Sequence, residues 1–284
     1  MPDASTQTED KPRRPVSDST KKKYQQAIKR LEDAKLDLDD TDKVIDWIKT
    51  KGGGSAQKVY YSAIKDHLTG KFPKQYQDEI DRLYKDQNEK DDKQELSEKQ
   101  TENFVPYEKL LEVQKRLADK ENKTEKEWKN YVVASLYTLQ PPVRADYGEV
   151  RVFKRRGSRE GNELIFGQKG PAYFVFRKYK TSKTYGTVEV RVSADLHRVL
   201  EEWFAHLGKT PKHLLGRPID GNDLLLEIQS AFHTTQKKIG INLLRHAYIK
   251  HHFPGLTTIK QKEDLAAMML HSKEKQEQYN SQNV

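Results

Sequence analysis

Residues 85–103 read KDQNEKDDKQELSEKQTEN and hold a single apolar side chain, Leu96. No hydrophobic core can run through such a stretch, because burying its charges would cost more than its one leucine returns. The flanking sequence must therefore bury its apolar residues as two separate groups. The run itself is expected to be an interdomain linker over 87–103, or else an exposed extension of the preceding helix.

On the N-terminal side, residues 19–86 show helical periodicity. Tyr24, Ile28 and Leu31 share one face, and Val44, Ile45, Trp47 and Ile48 mark a second short helix. GGGS at 52–55 breaks the pattern, with Ser55 placed to N-cap a third helix carrying Val59, Tyr60, Ala63, Ile64 and Leu68. Tyr76, Ile80 and Leu83 predict a fourth over about 75–86. Residues 1–18 are polar, contain proline and lack periodicity, so they are expected to be a disordered tail. They carry no apolar stretch of the secretory type.

On the C-terminal side, residues 104–284 begin with two helices, one using Tyr107, Leu110, Val113 and Leu117, the other Trp128, Val132, Leu136 and Leu139. QPPVRADYG at 140–148 ends the second. Short strands are expected at 149–153, 163–166, 172–179 and 187–193, the last two forming a hairpin around KTSKTYG. Helices are expected at roughly 194–206, 222–237, 242–252, 258–270 and 273–282. The class is α+β: an all-α N-terminal domain, then a mostly helical domain with a small antiparallel sheet.

Charge narrows the function. The chain carries a net +9, yet residues 1–100 hold 21 basic and 21 acidic side chains, so the excess lies beyond them. Residues 151–191 alone hold 11 basic against 3 acidic, an electrostatic footprint for a polyanion. There is no cysteine, which excludes disulfides and thiolate metal sites. No apolar run reaches the roughly 18 residues of a membrane span. The G-x-x-x-x-G-K-[ST] frame of a phosphate-binding loop is absent, and the histidines of HAYIKHH (246–252) lack partners at tetrahedral metal spacing. Neither a cofactor nor a metal is expected.

Five residues sit at punctuation points of this pattern: Arg144 after Pro-Pro, Lys180 at the tip of the hairpin, Arg245 early in a helix, then His271 and Tyr279. Together they suit phosphoryl transfer without a metal. A phosphodiester gains charge on its equatorial oxygens as it is attacked, and planar guanidinium groups match those oxygens with paired donors. A tyrosine with an ordinary pKa of about 10 needs positive surroundings to attack as phenolate. The departing alkoxide needs a proton, which a lysine can give.

In order and spacing these residues resemble those of the tyrosine recombinases, the phage-integrase family. PPVRADY supplies Arg144, and YKTSKTYG supplies Lys180, with Lys183 as the alternative hairpin lysine. NLLRH supplies Arg245, with Asn242 where the family has His or Lys. MLHS supplies His271 and QEQYN supplies Tyr279. Asn242 can hydrogen-bond but cannot carry a proton, and it also suits a helix N-cap. The helical unit, with TKKKYQQAIKRL and VYYSAIKDHL, is similar to the family's core-binding domain.

The resemblance implies a site-specific recombinase or integrase of a mobile or viral genome, working inside a cell on double-stranded DNA. It implies that Tyr279 forms a 3′-phosphotyrosyl link while Arg144, Arg245 and His271 hold phosphate oxygens and Lys180 protonates the 5′-oxygen. It also implies a homo-tetramer on paired sites, with the two domains clamping the duplex. A type IB topoisomerase uses nearly the same residues as a monomer, and a catalytically inactive DNA-binding relative is the other alternative.

Overall fold

The computed structural model describes residues 16, 18–68, 72–92, 96–157, 159–167 and 170–270. The chain divides into two compact units, Met1–Lys93 and Gln94–Val284. It is mostly helical with one small mixed sheet, in agreement with a general α+β class.

Four helices build the first unit: α1 (Asp18–Asp33), α2 (Thr41–Lys49), α3 (Gly54–His67) and α4 (Lys74–Asp92). The apolar positions of the periodic pattern form its core: Ala27, Leu31, Val44, Ile48, Tyr60, Tyr61, Ile64, Tyr76 and Leu83. Two details differ from expectation. Gly53, not Ser55, precedes the first turn of α3, so Ser55 lies inside the helix. Helix α4 continues to Asp92, well into the polar run. Its early turns are laced by Lys74–Asp78 and Arg82–Asp86 pairs at i,i+4 and by Arg82–Glu79. Such pairs support a helix that has little apolar surface to bury.

The second unit begins with α5 (Glu98–Asn103). Ser97 and Gln100 form a reciprocal capping box there, which makes the end of the polar run helical as well. Residues 87–92 and 98–103 are therefore helical, the first stretch as the extension of the preceding helix that the sequence allowed. Next come α6 (Tyr107–Asp119) and α7 (Glu125–Thr138). Helix α7 is buried without interruption from Asn130 to Thr138, because α6, α9 (Ala194–His206) and α10 (Gly221–Ala231) pack around it. Helices α11 (Ile241–His252) and α12 (Ile259–Met268) follow. The expected helix over 222–237 stops at Ala231, where a 3-10 turn over His233–Thr235 takes over. Local bonds from Thr235 to the Phe232 carbonyl and from His233 to that of Ser230 compete with further helix there.

The sheet runs in the order β1 (Arg151–Phe153), β2 (Glu163–Ile165), β3 (Tyr173–Phe176), β4 (Val188–Arg191). The expected hairpin is present: β3 and β4 pair antiparallel, with Phe174 opposite Val190. The sheet is not purely antiparallel, however, because β1 and β2 are parallel, with Val152 opposite Leu164. The joining residues 154–162 contain no two-residue turn, and nine residues can reach about 30 Å. That is ample to return past a three-residue strand of roughly 10 Å and start again alongside it. Within the hairpin, α8 (Ser182–Tyr185) forms a single helical turn where a simple loop was expected. Among the described residues no helix is long and apolar enough to cross a membrane.

The Tyr61 hydroxyl is buried in the first core and has no hydrogen-bond partner there. Replacing it by phenylalanine keeps the ring and removes an unsatisfied group. Tyr61→Phe should therefore stabilise the first unit by about 1 kcal/mol, read as slower exchange of the most protected α3 amides. Faster exchange would show that the hydroxyl contributes.

Candidate active site

Arg144 is positioned by its own turn. It precedes a 3-10 turn over Ala145–Tyr147, and its carbonyl accepts a 2.8 Å bond from the Tyr137 hydroxyl on α7. Gly148 closes the turn so near the backbone of Ile219 that an added Cβ would lie 2.2 Å from that carbonyl oxygen. The glycine of PPVRADYG thus permits a close approach that fixes where Arg144 starts. Its guanidinium Nη1 donates to the Leu270 carbonyl at 3.0 Å.

Arg245 lies on α11 and is fully buried, 0 % exposed. Its Nη2 donates to the Met269 carbonyl at 3.0 Å. Two arginines far apart in sequence therefore hold consecutive carbonyls just past the last turn of α12. This is the negative end of a helix, where cations are favoured. The turn depends on Leu270, buried at 2 % exposure and held at φ +55°, a left-handed conformation uncommon outside glycine.

The hairpin reaches the same carbonyl: Thr181 Oγ1 donates to Leu270 O at 3.3 Å. Lys180, the adjacent residue, is exposed. It stands on the outgoing limb rather than at the tip, because α8 occupies the tip and carries Lys183, also exposed. The Tyr179 hydroxyl bonds Gly186 O at 3.0 Å and closes the base of this excursion.

Asn242 is the second residue of α11 and exposed; Gly240 holds the N-cap position, so Asn242 does not cap the helix. It borders a surface groove of about 460 Å³ together with Arg144, Lys238, Lys99 and Asn103. Arg144, Asn242, Arg245 and the Lys180 limb are thus assembled around one corner of the second unit. His271 and Tyr279 lie outside the described residues.

Asp146 was not among the sequence candidates, yet it belongs to this corner. Burial raises its carboxyl pKa above the ordinary value, opposed by the nearby charges of Arg144 and Arg245. Its short spacing from Arg144 in VRAD was the one available signal. Thr181 and Leu270 had none, since they matter through backbone contacts. The histidines of 246–252 do not form a common polar face: His246 is buried, His252 packs tilted against Tyr248 and edge-on to Tyr107, and His251 binds Glu108 at 2.7 Å. Among the described residues no group of three or more His, Asp or Glu is arranged to hold a metal ion.

The basic segment is only partly free. Arg156 makes a bidentate pair with Glu189, and Arg177 and Arg159 flank buried Glu163 at 3.1 and 3.6 Å. Lys154, Arg155, Lys178, Lys180, Lys183 and Arg191 remain as exposed cations. No protein-family model matches the chain, and no curated protein matches it.

Because the folded pKa of Asp146 is raised, its neutral form suits the fold. Its favourable contribution is full below the unfolded value of about 3.9 and is lost as pH rises through the higher folded value. Asp146→Asn should therefore gain more stability relative to wild type at pH 7 than at pH 3, compared by melting temperature. An equal or larger gain at pH 3 would mean that the two arginines outweigh burial.

Proposed function

We propose that the protein breaks and rejoins DNA strands as a tyrosine recombinase, with the first unit as a core-binding domain and the second as the catalytic domain. The observation that carries this reading is the convergence of Arg144, Arg245 and the Lys180 limb on the Met269 and Leu270 carbonyls, the two residues that immediately precede His271 in the chain. A scissile phosphate beside that corner meets the half-buried Arg144 guanidinium near the buried charge of Arg245, and Asn242 offers a neutral hydrogen bond from the shared groove. Held by a helix end and a buried turn, such donors need little reorganisation as charge develops.

The chemistry then runs in one displacement. The Tyr279 oxygen attacks phosphorus as its phenol proton passes to solvent, and a phosphotyrosyl bond forms. The bond to the 5′-oxygen breaks, that oxygen keeps the electron pair, and it takes a proton from Lys180 Nζ. Arg144, Arg245 and His271 hold the non-bridging oxygens. Rejoining is the reverse, with a 5′-hydroxyl from the same or another duplex as nucleophile, so the phosphotyrosyl link conserves the bond without a nucleotide cofactor. Site-specific integration or excision by a homo-tetramer on paired DNA sites is the role that suits this chemistry.

A nicked suicide duplex tests the nucleophile. Wild type should form a denaturant-resistant adduct whose DNA-linked peptide contains Tyr279. Tyr279→Phe should form none while still binding DNA, and an adduct in that variant would sink the assignment.

A modified leaving group tests the acid. Lys180→Ala should slow cleavage of ordinary DNA by roughly 100-fold or more, yet cleave a 5′-bridging phosphorothiolate at near the wild-type rate, since a thiolate leaves without a proton. Arg245→Ala should be slow on both. Rescue of Lys183→Ala instead would move the acid three residues along the hairpin.

A further inference from the structure

The β2–β3 ladder ends where Glu163 pairs with Val175. Beyond Phe176 the third strand leaves the sheet, and the amides of Arg177 and Lys178 lose their strand partner. Asn162 supplies a substitute. Its Oδ1 accepts from Arg177 N at 3.0 Å and Lys178 N at 2.9 Å, while its Nδ2 donates to Lys178 O at 2.9 Å. The same Nδ2 lies 3.4 Å from the carbonyl of Asp146, in the turn that follows Arg144. The side chain is 7 % exposed, and both ends of its amide are in use. The reverse orientation would set nitrogen against two N–H groups and oxygen against two carbonyls. Its own carbonyl accepts from Arg151 N at 3.0 Å, which anchors it to β1.

One buried amide thus joins the hairpin limb to the Arg144 turn. Lys180 lies two residues beyond Lys178, within about 7 Å of chain. On its other side, Thr181 is held to the carbonyl that also receives Arg144. Lys180 is therefore flanked by a tie to the Arg144 turn on one side and by a tie to the carbonyl that Arg144 itself binds on the other. We propose that Asn162 is a positioning residue, which sets the Lys180 limb in register with Arg144 so that the proton donor faces the leaving oxygen. This rests on the recombinase reading and adds to it a residue that touches neither substrate nor reacting atoms. Misplacing a reacting group by about 1 Å can cost 100-fold, so loosening one of two ties should cost less than losing the lysine.

The test uses the full chain and the two duplexes described above, with Lys180→Ala run alongside. Asn162→Ala should cleave ordinary DNA about 10-fold or more slowly, yet cleave the phosphorothiolate strand at near the wild-type rate, because only the proton-delivery step is impaired. A variant that merely loosens the fold slows both substrates equally. If Asn162→Ala does not fold, Asn162→Asp keeps the acceptor for both amides and loses only the donors, and its thio-to-ordinary rate ratio should still exceed that of wild type. Equal slowing on both strands, or no slowing on ordinary DNA, overturns the inference while a rescued Lys180→Ala leaves the recombinase reading standing. An unrescued Lys180→Ala removes the hairpin acid itself, and the inference falls with it.

Discussion

The second unit is organised around the buried carbonyls at the end of α12. A helix leaves its last carbonyls without intrahelical partners, and burial next to a core makes that costly. Here Arg245 from α11 takes Met269 O, and Arg144 with Thr181 takes Leu270 O. The same bonds answer the converse problem of placing a guanidinium in a fully buried position. Each side supplies what the other lacks, and three segments distant in sequence are fixed to one point.

Supporting contacts spread outward from there. The Tyr137 hydroxyl on the buried helix α7 holds the Arg144 carbonyl, and Gly148 lets that turn press against Ile219. Asn162 fastens the outgoing limb of the hairpin to the same turn. Each contact is a hydrogen bond or close backbone approach at the border of a continuous apolar core. Such bonds are individually modest in net stability, but leaving any partner unmet in a dry setting is costly. That asymmetry gives the corner one arrangement rather than several.

Charge has two uses in this unit. Arg156, Arg159 and Arg177 meet Glu189 and Glu163 and serve the sheet. Other cations of the segment stand exposed, with Lys154 and Arg155 beside β1 and Lys178, Lys180 and Lys183 on the hairpin excursion. A count of basic residues cannot separate these groups, because pairing with a carboxylate depends on which strands become neighbours.

Periodicity alone determined most of the helices and the β3–β4 hairpin, since apolar spacing dictates which face must be buried whatever lies opposite. It determined α9 over 194–206 and the inward residues of α1 to α4, and residue order brought Arg144, Lys180 and Arg245 forward as a set. Tertiary structure decided what depends on non-local partners. It made β1 and β2 parallel, because a nine-residue connection permits either direction and packing selects one. It removed Asn242 from the cap position, moved Lys180 from the hairpin tip to its limb, and recruited Asp146, Asn162, Thr181 and Leu270. Asn162 and Thr181 act by bonding backbone groups that folding brings near, Asp146 and Leu270 by offering their own carbonyls, and backbone groups are the same at every position of a sequence.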